Sequence, residues 1–371
     1  MRLGVTPRPG ILDISPYVGG ESTAPGRDCT VRLASNENPL GPGTRAAAAF
    51  AAVRDDLHRY PDGAAAALRA AIAEAEGLDA ARIVCGAGSD ELISLLVRAY
   101  AGPGDEVLHS AHGFLMYAIA AKSVGATPVA VPERDLTADV DAILARAGTQ
   151  TRVVFLANPN NPTGSYLDGA ALRRLRAGLP EHVLLVIDAA YAEYVTVDDY
   201  DSGAALVDEF DNVVMTRTFS KIHGLAALRL GWAYCPAAVA DVLNRIRGPF
   251  NVCRPALAAG VAALSDRAHV DRSRRHNARW RDWLAQEMAG VGLHAYPSVG
   301  NFLLVRFPTD AAHAAPAALR YLKENGILVR DMTSYGLPEC LRITIGDEGE
   351  TRDVAGALAR FMADGVVRIG A

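Results

Sequence analysis

Seven short apolar runs punctuate the first two thirds of the chain, at 82–85, 106–108, 128–131, 152–157, 183–187, 213–217 and 230–234. Within them apolar residues follow one another without polar alternation, the pattern of strands covered on both faces. Amphipathic stretches rich in Ala, Leu and Arg at 64–76, 89–100, 113–124, 138–146 and 168–177 separate most of the runs and predict helices. Strand and helix in alternation predict an α/β architecture with a mostly parallel, seven-stranded sheet between helical layers. After residue 255 the texture changes. A long helical stretch at 256–290, a strand at 301–307, a helix at 311–325 and strands near 327–330 and 340–345 predict a smaller α+β domain. The first 35 residues are rich in Pro and Gly, lack a helix period, and read as an arm that packs on the small domain. The expected division is an N-terminal arm at 1–35, a large domain at 36–255 and a small domain at 256–371, and 371 residues suffice for two cores.

Charge and cysteine usage narrow the function classes. A net charge of −5 with no Lys/Arg-rich run argues against a nucleic-acid partner. No segment reaches the length of a membrane span and the N-terminus lacks a signal-peptide core, so a cytoplasmic protein is expected. Cys29, Cys85, Cys235, Cys253 and Cys340 are scattered and odd in number, which speaks against a disulfide framework and for a reducing compartment. The nine histidines form no HExxH-like cluster, so no metal is expected. One bias is pronounced: of 37 basic residues only Lys122, Lys221 and Lys323 are lysines. Lys122 and Lys323 lie in helical patterns as solvated groups. Lys221 follows an apolar strand in Thr-Phe-Ser-Lys-Ile, and an amine can form an imine where a guanidinium cannot.

In an open α/β sheet, ligands gather at the carboxyl ends of the strands. Four such ends carry polar residues. Gly86-Ala87-Gly88-Ser89-Asp90-Glu91 opens a helix, where free N–H groups attract an anion, although Glu91 stands where a dinucleotide fingerprint needs glycine. Asn158-Pro159-Asn160-Asn161-Pro162-Thr163-Gly164 is a stiff loop that offers the Asn161 amide, or is simply a turn. Asp188 ends a buried strand, where a carboxylate is costly unless paired with a cation or used as a helix cap. Tyr191 follows it. The last end holds Ser220 and Lys221, with Arg229 between two leucines eight residues on, placed to meet a buried anion. An imine-forming amine, a carboxylate for a pyridinium, hydrogen-bond donors and a phosphate cup are together what pyridoxal phosphate asks of a protein.

These segments carry a resemblance. ASNENPLGP (34–42), RYPDG (59–63), CGAGSDELI (85–93), FLANPNNPTG (155–164), VIDAAYAEY (186–194), TFSKIHGLAALRLGWAY (218–234) and ILVRDM…CLRITIG (327–346) are similar to the histidinol-phosphate aminotransferase family of class II, fold-type I pyridoxal-phosphate enzymes. The likeness implies that Lys221 is the Schiff-base lysine, Asp188 the partner of the pyridine nitrogen, and Asn161 and Tyr191 donors to the ring's phenolic oxygen. It implies a phosphate cup of Ser220, Arg229, Ser89 and the backbone at Ala87 and Gly88, with Tyr60 reaching in from the other subunit of a homodimer. Phe114 would stack on the ring, or is an ordinary core aromatic. Arg342 would grip the substrate's carboxylate or phosphate, and Tyr17 and Arg330 the phosphate of histidinol phosphate. Two departures, His223 where Tyr is expected and Arg254-Pro255 where small residues are usual, lie close in sequence to these elements and would bear on substrate choice. The implied activity is ping-pong transamination between histidinol phosphate and 2-oxoglutarate. Rival readings are a transaminase for aromatic or other amino acids, a decarboxylase using the same cofactor, and a non-catalytic cofactor-binding regulator.

Overall fold

A computed structural model of the chain describes residues 5–21, 23 and 31–367, with side chains to residue 363. All seven apolar runs form strands of one sheet. Its order is Ile83–Gly86, Gly231–Tyr234, Val213–Thr218, Leu184–Asp188, Thr151–Ala157, Glu106–Ser110 and Thr127–Val131. Only Gly231–Tyr234 runs antiparallel to its neighbours; the other pairings are parallel. The unbroken apolarity has the expected cause. Leu156, Leu185 and Ile187 point into one hydrophobic cluster, and Phe155, Leu184 and Val186 into another on the opposite face. Helices Ser89–Tyr100 and Met116–Val124 cover the second face, with Leu92, Ile93, Leu96, Tyr117 and Ala121 buried against it.

A second sheet of five strands has the order Val31–Leu33, Ile327–Asp331, Cys340–Thr344, Phe302–Arg306, His294–Ala295. Its core joins Leu303, Val305, Leu341 and Ile343 to Trp280, Leu284, Leu322 and Leu358 from three helices. Val31–Leu33 pairs in parallel with Ile327–Val329, so the chain passes through the second sheet before it enters the first. Of the predicted arm, residues 1–4, 22 and 24–30, including Cys29, lie outside the described residues.

The predicted helix over 256–290 is two helices, Arg254–Leu264 and Arg267–Gly290. Between them Asp266 accepts the N–H of His269, an N-cap that starts the second helix anew. The helix expected from 113 begins only at Met116, and residues 111–115 form a loop at the carboxyl end of Glu106–Ser110.

Candidate active site

The carboxyl ends of the large-sheet strands open into a cavity of about 310 Å³. Residues from the small sheet and the N-terminal segment close its other wall. Lys221, Asp188, Asn161, Tyr191, Ser220, Arg229, Ser89, Phe114, Tyr17 and Arg342 all line it. Sequence separation gives no hint of this convergence, since Tyr17 and Arg342 come from opposite ends of the chain.

Asp188 ends its strand buried, with hydroxyls as its side-chain partners. Tyr117 Oη donates to Oδ2 at 2.8 Å and Thr216 Oγ1 to Oδ1 at 3.1 Å. Burial pushes its pKa up to about 6 against the pull of these donors. Such a carboxylate suits a cationic N–H in the cavity. Lys221 Nζ donates to Ser35 O at 3.1 Å, and its amine is lowered to about 8, first by burial and then by the Arg342 guanidinium. Tyr191 is raised above the ordinary tyrosine range by burial and stays a neutral phenol. It accepts from Asn36 Nδ2 at 2.9 Å, which leaves its own proton free to donate.

Asn161 Oδ1 accepts from Arg342 Nη1. Because arginine only donates, this contact decides which end of the amide is the oxygen and leaves Asn161 Nδ2 as a donor. Arg342 is only 5% exposed, donates through Nη2 to Ala34 O at 2.7 Å, and has a buried Nε without a partner. Both protein acceptors are neutral carbonyls, so the guanidinium keeps charge to offer an anion.

The anion cup is built from close approaches. Arg229 adopts a left-handed φ of 49° and places Nη1 3.2 Å from Ser220 Oγ and Nη2 3.1 Å from Asp90 Oδ2. That ion pair is half exposed and contributes at most about 1 kcal/mol, so an incoming phosphate can replace it. A Cβ on Gly231 would meet Ser89 N at 2.4 Å, and one on Gly88, at φ +84°, would meet Arg229 Nη2 at 2.6 Å. Glycine alone leaves this cup open. The backbone groups expected in the cup have partners within the chain. Ala87 N donates to Glu91 Oε2 at 2.6 Å and Gly88 N to Gly86 O at 2.8 Å, so both are used within the turn. Ser89 and Asp90, at the start of their helix, line the cavity.

Other expected residues stand apart. Arg330 lines a neighbouring cleft of about 850 Å³, donates to Val18 O at 2.6 Å and lies 5.8 Å from the centroid of the Tyr17 ring. Tyr17 borders both spaces and meets Phe114 edge-on at 6.2 Å. Tyr60 is 79% exposed, stacked on Phe250 at 4.5 Å, and outside its own chain's cavity. The two departures lie outside the cavity lining. His223 is buried beside Phe219, with Nε2 3.9 Å from Glu193 Oε1, and burial lowers it to about 4. Arg254 pairs with Asp56 at 3.2 Å. Neither lines this cavity within its own chain.

Sequence reading missed Asn36, Tyr117 and Thr216. Asn36 takes a left-handed φ of 55°, which Asn tolerates, and joins Tyr191 to Thr344 of the small sheet. The available signal for Tyr117, fully buried in the structure, was a lone tyrosine in an Ala-rich helical segment.

The residues present fit pyridoxal phosphate: a buried carboxylate whose side-chain partners are hydroxyls, a lysine of lowered pKa lining the same cavity, and an arginine–serine cup that any side chain at Gly231 would fill. Comparison with known proteins agrees. Residues 29–358 match the model of the family "Aminotransferase class I and II". The chain is 59% identical to a histidinol-phosphate aminotransferase of Paramagnetospirillum magneticum, over 96% of this chain and 98% of the relative. It is 60% identical to that of Rhodospirillum centenum, over 97% and 99%. The crystal structure of histidinol-phosphate aminotransferase from Sinorhizobium meliloti in complex with pyridoxal-5'-phosphate superposes with a TM-score of 0.89 at 31% identity, covering 97% of this chain and 99% of that one. Full-length identity at this level, on a cavity that fits the cofactor, places the chain in the class I and II aminotransferases, within the histidinol-phosphate aminotransferase family.

Proposed function

We propose that the chain is a pyridoxal-phosphate-dependent aminotransferase that moves the amino group of histidinol phosphate to 2-oxoglutarate by a ping-pong route. The observation that carries the reading is Arg342, a buried guanidinium with only carbonyl partners, facing the same cavity as Lys221. When bound, the cofactor supplies an electrophilic carbonyl and an electron-withdrawing ring. Lys221 takes and returns the proton at the substrate's reacting carbon, a task suited to an amine near 8. Asp188 holds a proton on the ring nitrogen, and Asn161 and Tyr191 donate to the ring's phenolic oxygen. Ser220, Arg229 and the Ser89 turn hold the phosphate. Arg342, with Tyr17 and the more distant Arg330, receives the substrate's anionic group.

Residues 36–255 are proposed as the cofactor domain and 256–371 as the smaller domain, with the arm at 1–35, on the basis of the two sheets, although helix Arg254–Leu264 buries Ala256, Ala259 and Ala263 in the large-sheet core. A homodimer with shared sites is proposed from Tyr60. Its ring projects from its own chain next to exposed Leu57 and Phe250, an apolar patch suited to a second copy. A cytoplasmic location is proposed from the cysteine usage. Among the described residues no helix is long and apolar enough to cross a membrane.

Mixing the yellow holoenzyme with histidinol phosphate, and separately with aromatic amino acids, tests the substrate. Histidinol phosphate should bleach the visible absorbance fastest. Bleaching by an aromatic amino acid with none by histidinol phosphate would overturn the assignment.

A further inference from the structure

Tyr117 meets two groups of the cavity at once. It sits on helix Met116–Val124, fully buried, with its ring flat on Phe155 at 4.5 Å and 4°. Its edge meets Phe114 at 5.8 Å and 89°. Its hydroxyl donates to Asp188 Oδ2 at 2.8 Å. Burial and the neighbouring carboxylate raise Tyr117 well above the ordinary tyrosine value, so it remains a neutral donor and Asp188 the acceptor.

With Thr216 on Oδ1 and Tyr117 on Oδ2, the carboxylate is held at both oxygens. The backbone N–H of Ala190 is a third donor to the group, and a carboxylate offers about four lone-pair sites, so one remains for a ligand. These donors therefore orient the group without saturating it. The other charged group that acts on Asp188 is Asp90 from the Ser89 helix. Tyr191 and Tyr200 feel its charge in turn. None of these supplies a cation.

We propose that Tyr117 is a positioning residue for the cofactor: its hydroxyl aims and keeps ionised the Asp188 carboxylate, and its ring edge sets Phe114 against the ring face. The inference rests on the reading of Asp188 as partner of the ring nitrogen. Helix Met116–Val124 thereby governs the bottom and one face of the cofactor pocket through a single side chain.

Tyr117→Phe removes only the hydroxyl and preserves the stack on Phe155. A hydrogen bond to a charged group is large enough that its loss should speed cofactor release from dialysed holoenzyme about ten- to a hundredfold. The acid limb of kcat/KM should also move to higher pH, because Asp188 loses a donor that favours its ionised form. Thr216→Val, which strips the other oxygen, should shift both readouts in the same direction and serves if the first variant folds poorly. In an Asp188→Asn background, Tyr117→Phe should change cofactor retention by less than about twofold, since residues that act through one group are not additive. Additive losses overturn the proposal and make Tyr117 a packing residue. So does a Tyr117→Phe enzyme equal to the parent in retention and pH profile while Asp188→Asn is impaired. Parent-like behaviour of Asp188→Asn would instead remove the reading of Asp188 itself.

Discussion

Replacing Arg342 by lysine keeps a positive charge and removes the planar fork, so it asks whether geometry or charge matters at this site. The guanidinium spans Asn161 Oδ1 on the large-domain loop and Ala34 O at the end of the N-terminal segment, beneath which lies the Phe302 ring at 5.4 Å. An ammonium group on a flexible stem reaches one of these carbonyls and leaves the other buried without a donor, a cost of about 1–3 kcal/mol in stability. On the substrate side the loss is one arm of a two-point contact with an anion, about 1.5–3 kcal/mol. That corresponds to about ten- to a hundredfold in kcat/KM. Both half-reactions should suffer, because in the proposed reaction histidinol phosphate and 2-oxoglutarate would each bring an anionic group to the same guanidinium. Freed from Arg342, the Asn161 amide can also rotate, so part of the loss should fall on kcat. The assay is rapid-mixing measurement of each half-reaction on parent and Arg342→Lys holoenzyme, with a thermal melt beside it. If both half-reactions stay within about twofold of the parent and the melt is unchanged, the fork has no role and the reasoning fails.

Three further outcomes are expected. Borohydride reduction of the holoenzyme followed by peptide mapping should fix the cofactor on Lys221, and recovery on Lys122 or Lys323 would refute its role; in the cofactor-free protein a mild acylating reagent near pH 8 should also reach Lys221 first, since its value of about 8 leaves more free amine than an ordinary lysine has. Co-refolding inactive Lys221→Ala with impaired Tyr60→Phe subunits should restore activity through mixed dimers holding one unaltered site, and a fully active monomer under assay conditions would contradict shared sites. Arg330→Ala should lower kcat/KM for histidinol phosphate by less than Arg342→Lys does, because Arg330 lies behind Tyr17 and binds Val18 O; an equal or larger loss would show that the substrate extends into the adjoining cleft.

What the sequence determined by itself was the frame and the chemistry it carries. Continuous apolar runs imply strands with two buried faces, and the central runs such as Thr151–Ala157 and Leu184–Asp188 bury side chains in a core on each side of the sheet. Residues at strand ends were legible for the same reason: once the sheet is parallel, Asp188, Asn161 and Lys221 must share an edge. The rare lysine and the Gly-rich turn were local signals too. Tertiary structure decided partners and faces. The contact of Tyr117 with Asp188 joins residues 71 positions apart, and that of Asn36 with Tyr191 joins residues 155 apart. No periodicity encodes such pairings, because they depend on how separately formed layers pack. His223 shows the limit in reverse: two residues from Lys221, it faces Arg217 and Glu193 behind the loop, since the turn after the strand sends neighbouring side chains to opposite sides. The phosphate turn combines both kinds of information. Its glycines were visible in the sequence, but which N–H groups remain free depended on the Glu91 carboxylate folding back onto Ala87, a contact that only the packed helix start could settle.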